Sequence, residues 1–300
     1  MPPIYYVILV FAIIAALLSI CFWAITFIKK IQTNTIYVFL LNLSLITALH
    51  SLSYCLYWTG ESGMPYSSES LCLIQSIVSI FSSSSSEFWV SIITFRFYYE
   101  MKGLMKKIDS GEYDKEYLME NVDKLLPKIS NSSLVICYII AYAIPALLVT
   151  IIGSFGGLGE SVPHCWIVSN NGKVWRIIVI VIKGLNIIFS VIISCLIIIK
   201  QKGDDNSNKC CSFKGKNIKI LMIPFLQLVG AIPPLIYLII AYINENSPVL
   251  PTLGDVYSLF WVLQGVFYPL FFASICGIYN LLCSSKIQVD VDEALSLKDF

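Results

Sequence analysis

The chain contains 300 residues, of which 57% are hydrophobic and only 13% are charged. A soluble domain of this length is not expected to have such a composition, because typical globular chains carry about twice that share of charge. The formal net charge of +1 gives no reason to expect a nucleic-acid polymer as a partner.

Seven apolar runs follow one another along the chain, and each is long enough to cross a bilayer. They cover approximately residues 4–28, 36–58, 71–97, 133–155, 175–199, 218–243 and 254–280. A helix needs about 20 apolar residues to span the hydrocarbon core, where the backbone must satisfy its own hydrogen bonds. Barrel strands would alternate in hydrophobicity, whereas these runs are continuously apolar. The sequence therefore predicts an all-α membrane protein, a seven-transmembrane helix bundle over residues 4–280.

The basic residues predict the orientation of this bundle. Of the 20 Lys and Arg residues, 17 lie in the first, third and fifth connections, in the tail, or, for Arg96 and Lys219, at the run ends that border those connections. Cytoplasmic loops carry the excess of these residues. We therefore expect the amino terminus outside, with residues 1–3 as a short extracellular stub, and the carboxyl terminus inside, with residues 281–300 as a cytoplasmic tail. Because Lys29 and Lys30 follow the first run, we expect that run to be an uncleaved anchor.

The cysteines divide by their predicted position. Cys72, at the outer end of the third run, and Cys165, in the fourth connection, are the two in outward-facing positions. That space is oxidising, so we expect a disulfide that holds the outer loop across the mouth of the bundle. Cys210, Cys211 and Cys283 lie on the cytoplasmic side next to membrane ends. Such cysteines are candidates for S-acylation, and plain free thiols remain the alternative.

The third connection is the longest soluble segment. Its apolar residues recur at helical spacing over residues 113–129, with charged residues on the other face. This pattern predicts an amphipathic cytoplasmic helix, which Pro127 kinks or ends. The helix either lies against the inner membrane surface or the bundle, or serves as a docking element for a partner.

Charged side chains inside the apolar runs are candidates for function, because hydrocarbon is a costly environment for them. Glu87 lies in the middle of the third run, and Lys183 lies about two turns below the outer surface in the fifth. This difference in depth leaves open whether the two side chains reach each other. Lys183 either extends its ammonium outward to the interface or, helped by Arg176, binds an anionic ligand.

Five uncharged polar residues in the runs are further candidates for function: His50, Gln75, Asn186, Gln227 and Gln264. Of these, Gln75, His50 and Gln264 are candidate ligand contacts. His50 has a second interpretation, as a hydrogen-bonded residue of the core. The whole chain has two histidines, which argues against a metal hydrolase, since such a site needs several His or carboxylate ligands together. We predict no catalytic residues, no metal and no cofactor.

Small residues and prolines indicate which helices pack closely and which bend. Five consecutive serines, residues 82–86, precede Glu87 in the third run. Small residues allow transmembrane helices to approach closely, so we expect the third helix to be central. Pro233 and Pro269 remove backbone donors from the sixth and seventh runs and are natural hinges. We expect Glu87, Pro233 and Pro269 to take part in a switch between two states.

Several short motifs resemble those of G-protein-coupled receptors. The fourth connection contains Cys165-Trp166-Ile167 and is followed by Arg176, and the seventh run contains Leu263-Gln264-Gly265. More distantly, Gly230-Ala231-Ile232-Pro233 resembles the Cys-Trp-x-Pro element of rhodopsin-like receptors, and Tyr268-Pro269-Leu270-Phe271-Phe272 resembles their Asn-Pro-x-x-Tyr. With seven runs and an outside start, the chain resembles most closely the cyclic AMP receptor-like family of slime moulds and other protists.

This resemblance implies a receptor at the plasma membrane that binds a small extracellular ligand in the outer half of the bundle. It implies signalling to a heterotrimeric G protein on the cytoplasmic face. Trp166, Arg176 and Lys183 would contact the ligand, and an anionic nucleotide would suit the two cations. No Asp-Arg-Tyr element follows the third run, and Arg96 is its nearest equivalent on the G-protein side.

A small-solute transporter with seven helices is the alternative function. Many transporters contain internal repeats and interrupted helices in matching halves. The sequence contains no convincing repeat between the first three and the last three runs. A retinal protein would need a lysine in the last run, and residues 254–280 contain none.

Overall fold

A computed structural model describes residues 3–28, 35–54, 56, 69–111, 130–160, 165–167, 169–202, 211–244 and 247–275. Within these ranges the chain forms seven helices, α1 to α7, and two short strands. The helices are Pro3–Ile28, Thr35–Ser53, Glu69–Asp109, Asn131–Ser154, Ser169–Lys202, Cys211–Ile243 and Leu250–Ile275. The strands β1 (Leu158–Glu160) and β2 (Cys165–Ile167) pair antiparallel between α4 and α5. The predicted helix over 113–129, the predicted tail over 281–300, Cys210 and Cys283 lie outside the described residues.

Five of these helices are long and apolar enough to cross a membrane. They are Tyr6–Phe27 in α1, Asn131–Ser154 in α4, Lys173–Ile197 in α5, Ile223–Ile243 in α6 and Leu250–Ser274 in α7. The apolar part of α2, Val38–Ser53, is shorter. The serines at 82–86 and Glu87 make α3 more polar than the other helices. The prediction of an all-α membrane protein is thus confirmed for five helices, while seven crossings and their orientation stay predictions.

The outward faces of the helices are apolar. Leu17 on α1, Leu147 on α4 and Leu185 on α5 are each more than half exposed. Water-soluble monomers rarely expose large contiguous apolar patches, whereas a helix in lipid has its backbone bonds satisfied internally and turns such side chains outward. The distribution of apolar side chains therefore fits a bundle embedded in a bilayer.

Helix α3 is the central element of the bundle, as the serine run predicts. It contacts α2, α4, α5 and α6 and both strands. All five serines at 82–86 are buried, so the close approach of neighbours extends around the whole circumference of the helix. Helices α1, α2 and α7 pack together, and α7 also packs on α6.

Several helix ends differ from the predicted spans. Helix α5 begins at Ser169 and α6 begins at Cys211, before the predicted starts at residues 175 and 218. Helix α2 ends at Ser53, before the predicted limit of residue 58. Helix α3 continues past residue 97 to Asp109, and Gly111 follows with φ of 71°. Glycine adopts this left-handed conformation without strain and commonly terminates helices. Helix α3 therefore ends just before a glycine in the left-handed conformation, and not where the apolar run ends.

Helix α4 contains a wide turn at Ile139–Ala143, which has π-helical geometry. Pro145 follows directly and has no amide hydrogen for the carbonyl of Ala141, so the ladder of hydrogen bonds must change here. At the start of the same helix, Ser130 accepts a hydrogen bond from the backbone amide of Ser133 at 3.2 Å.

The buried core divides into two clusters of large side chains. One lies towards the strands and includes Tyr54, Trp166, Tyr257 and Trp261. The other lies towards the opposite end of the bundle and is built around Trp89 with the residues that follow: Phe22, Phe39, Phe97, Tyr268 and Phe272. Lys183 on α5 lies against Trp261 of the first cluster.

Candidate functional site

A buried ion pair joins α3 to α5 in the interior of the bundle. Lys183 Nζ donates to Glu87 Oε1 at 2.5 Å and to Ser83 Oγ at 3.1 Å. The side chains of Lys183 and Glu87 are only 4% and 1% exposed. The same ammonium lies 5.4 Å from the centroid of the Trp261 ring, within range of a cation–π interaction. The ammonium therefore does not extend outward to the interface.

The structure thus shows that the side chains of Lys183 and Glu87 reach each other, which their predicted depths leave open. The flexible four-carbon stem of Lys183 covers the difference in depth between the two residues. Each charge would be costly to bury by itself, and removing one partner would leave the other uncompensated. In this arrangement Glu87 already neutralises Lys183, so a new anion would compete with that carboxylate for the ammonium.

The predicted disulfide between Cys72 and Cys165 is confirmed, with a Cα–Cα distance of 5.2 Å. It joins the start of α3 to β2. Gln75, one turn further along α3, reinforces the connection: its Oε1 accepts from the amide of Cys165 at 3.0 Å, and its Nε2 donates to the carbonyl of Ser53 at 2.9 Å. Trp166 is buried, with its ring edge-to-face at 5.6 Å from Tyr257. Gln75 and Trp166 therefore hold the strands in place.

Arg176 lies near the start of α5 and is 4% exposed. Its Nη2 donates to the carbonyl of Ile167 at 3.0 Å, and its Nη1 donates to the carbonyl of Ala241 at 3.3 Å. Ala241 belongs to the last turn of α6, where carbonyl groups lack partners within the helix and a cation is favourable. Arg176 therefore ties β2 and α5 to the end of α6.

His50 is a fully buried, hydrogen-bonded residue of the core. Its Nδ1 lies 2.8 Å from Ser82 Oγ, and its Nε2 lies 3.1 Å from Tyr54 OH. The ring also meets Trp261 edge-to-face at 4.4 Å. Because Trp261 contacts Lys183 as well, His50 is connected to the ion pair through one aromatic side chain.

Gln264 lies at a close contact between α7 and α6. Its Nε2 donates to the carbonyl of Leu226 at 2.6 Å. A Cβ atom placed on Gly230 would lie 1.7 Å from the same nitrogen, so a larger residue there would displace the Gln264 side chain from this hydrogen bond. Pro233 lies one turn further along α6, and Pro269 lies one turn beyond Gln264 in α7. The predicted hinges therefore flank a tight helix–helix contact.

Arg96 lies towards the end of α3 that is remote from the disulfide. Its Nε donates to Glu100 Oε1 at 2.6 Å, within the same helix. Burial raises the pKa of the Glu100 carboxyl above its ordinary value, although the Arg96 guanidinium beside it acts in the opposite direction. Cys211 is the first residue of α6, and its S-acylation stays a prediction.

The sequence analysis does not identify the polar partners of Lys183 and Asn186. Ser83 and Trp261 contact the Lys183 ammonium. The spacing of Ser83 four residues before Glu87, on the same helix face, is the signal that could have identified it. Ser91 Oγ donates to Asn186 Oδ1 at 2.9 Å, which adds a second polar link between α3 and α5.

The described residues contain no group of three or more His, Cys, Asp or Glu side chains placed to hold a metal ion. Comparison with models of protein families gives no match for the chain, and a search of curated proteins gives none either. The site must therefore be interpreted from its own geometry.

Proposed function

We propose that the protein is a seven-helix membrane receptor related in function to the cyclic AMP receptor-like family, with its amino terminus outside and its carboxyl terminus inside. The observation that carries the proposal is the buried pair of Lys183 and Glu87, which links the central helix to α5. An ion pair this far inside an apolar bundle is expensive and marks a candidate functional site. The disulfide supports the orientation, because such a bond forms in an oxidising compartment.

The ligand is a small extracellular anion that enters from the end of the bundle nearest the disulfide. Arg176 and Lys183 are seven residues apart on α5, so they lie on one helix face about 10 Å from each other. An anion bound between them would compete with Glu87 for the Lys183 ammonium. Four further residues contact the ligand on its way in, once the strands and helix ends separate. They are Trp166, Gln75, His50 and Gln264.

Signalling follows from a difference in affinity between two arrangements of the bundle. A ligand stabilises only the arrangement that it binds more tightly, and the exchange of Glu87 for a ligand anion provides that difference. Helices α6 and α7 then move about Pro233 and Pro269, which interrupt their backbone hydrogen bonds. At the other end, Arg96 faces a heterotrimeric G protein. Affinities for ligand and G protein are then reciprocal.

The test uses the full chain in lipid vesicles with a panel of anionic nucleotides. We expect one of them to accelerate nucleotide exchange on an added G protein. Lys183→Ala should weaken this response more than Lys30→Ala, a change of cation in the first connection. Equal effects of the two substitutions would contradict the ligand site. Solute flux without nucleotide exchange would contradict the receptor function and favour the alternative, a small-solute transporter.

A further inference from the structure

A small cavity lies beside the ion pair, between α3, α5 and α6. It has a volume of about 10 Å³, close to the smallest space that accommodates one water molecule. Seven residues line it: Glu87, Asn186, Ile187, Ser190, Pro224, Gln227 and Leu228. Four of the seven are polar, which distinguishes this space from a dry packing defect between apolar side chains.

Two of the lining side chains carry polar atoms that have no hydrogen-bond partner among the described residues. They are Glu87 Oε2 and Gln227 Nε2. Glu87 is 2% exposed and Gln227 is 3% exposed. Their other atoms are engaged, since Glu87 Oε1 accepts from Lys183 Nζ and Gln227 Oε1 accepts from Tyr268 OH at 2.7 Å. A buried polar atom without a partner destabilises the fold.

The chemistry of these two atoms restricts what can occupy the cavity. Glu87 Oε2 accepts hydrogen bonds, whereas the amide nitrogen of Gln227 donates them. A water molecule can donate to the first and accept from the second. A sodium ion would suit the carboxylate but would be repelled by the Gln227 amide hydrogens and by the nearby Lys183 ammonium.

We propose that this cavity is a binding site for a single water molecule that donates to Glu87 Oε2 and accepts from Gln227 Nε2. The water completes a polar chain from Lys183 on α5, through Glu87 on α3 and Gln227 on α6, to Tyr268 on α7. Pro224 also lines the site, so the chain passes beside a break in the hydrogen bonds of α6. The assignment does not depend on whether the protein is a receptor.

A structure determination of the full chain in lipid nanodiscs, at a resolution that shows ordered waters, tests the assignment. We expect one spherical density peak within hydrogen-bond distance of both Glu87 Oε2 and Gln227 Nε2. Well-defined side chains with no peak between them would overturn the proposal. So would a peak surrounded by several short contacts to oxygen atoms, which would indicate a metal ion.

Two variants separate the water site from general packing. Gln227→Leu should abolish the peak and lower the apparent Tm, because the water loses its donor. Ser194→Ala is the matched control: Ser194 is buried on α5 one turn beyond Ser190 and does not line the cavity. The peak should persist in that variant. A peak that also persists in Gln227→Leu would overturn the assignment, and if that variant fails to fold, the map of the unsubstituted protein decides alone.

Discussion

Two ion pairs among the described side chains of helix α3 differ in reach and in surroundings. Glu87 pairs with Lys183, which is 96 residues away in the chain, and both side chains are buried. Arg96 pairs with Glu100, four residues away on the same helix, and 22% of the Arg96 side chain is exposed. The first pair holds two helices together, while the second stabilises one helix locally. An ion pair of Lys or Arg with Glu therefore contributes differently to the fold according to whether its charged groups can reach water.

The largest effect is expected from breaking the buried pair on one side only. Lys183→Met leaves the Glu87 carboxylate uncompensated and should reduce the free energy of unfolding by about 3–5 kcal/mol. The double variant Lys183→Met, Glu87→Met removes both charges and should recover most of that loss. Thermal unfolding of the purified protein in one detergent measures both. A double variant no more stable than the single one would contradict the assignment of the loss to an unpaired charge.

Removal of the disulfide comes next in size, because it releases the strands from the central helix. The bond between Cys72 and Cys165 closes a loop of 93 residues. Loss of such a bond typically costs about 2–4 kcal/mol. Cys72→Ala and Cys165→Ala should each abolish surface expression or signalling, measured by surface labelling and by the nucleotide-exchange assay. Normal signalling from both variants would show that the disulfide is not required for function.

A smaller effect is expected where α6 and α7 touch. Gly230→Ala places a methyl group against the Gln264 amide and should lower stability by about 1–3 kcal/mol through overpacking. Gly184→Ala is the control, since a Cβ atom there meets nothing within 4 Å. We expect that control to be neutral or slightly stabilising, because alanine is the better helix former. Equal melting temperatures for the two variants would show that the contact is loose.

The local pair should give the smallest effect, visible mainly in its pH dependence. Exposed pairs of this spacing contribute about 0.3–0.5 kcal/mol. In this pair the Arg96 side chain is partly exposed, while the Glu100 side chain is buried. Because burial raises the pKa of Glu100 in the folded protein, its contribution to stability is fully present below pH 4.5 and is lost as pH rises through the folded pKa. Glu100→Gln should therefore flatten the pH profile of unfolding above pH 4.5. Lys102→Gln, an exposed change on the same helix, should leave the profile unchanged. A profile unaltered by Glu100→Gln would contradict the buried placement.

The sequence predicts the helices and one distant bond of this molecule, but not its other distant contacts. Apolar run length predicts the helices, and the oxidising compartment predicts the bond between Cys72 and Cys165. The pairing of Lys183 with Glu87 could not be predicted from depth, because it depends on the path of a flexible side chain between two helices. The same holds for Arg176, whose carbonyl partners on β2 and α6 become neighbours only in the folded bundle.

The polar residues selected as ligand contacts illustrate a second limit. Residue type and position in an apolar run identify Gln75, His50 and Gln264 as unusual, because a buried polar group must find partners. Whether the partner is a ligand or the protein itself depends on the neighbouring helices. In the structure Gln75 holds β2, His50 bonds to Ser82, and Gln264 bonds to the backbone of α6. Their proposed ligand contacts therefore require these bonds to exchange.

The topology of the chain in the membrane is the central claim, because ligand entry, the disulfide and the G-protein face all depend on it. Epitope tags on the two ends, probed in intact and in permeabilised cells, measure it directly. We expect the amino-terminal tag to be labelled in intact cells and the carboxyl-terminal tag to be labelled only after permeabilisation. Labelling of both tags in intact cells, or of neither, would contradict an odd number of crossings and the proposed receptor with it.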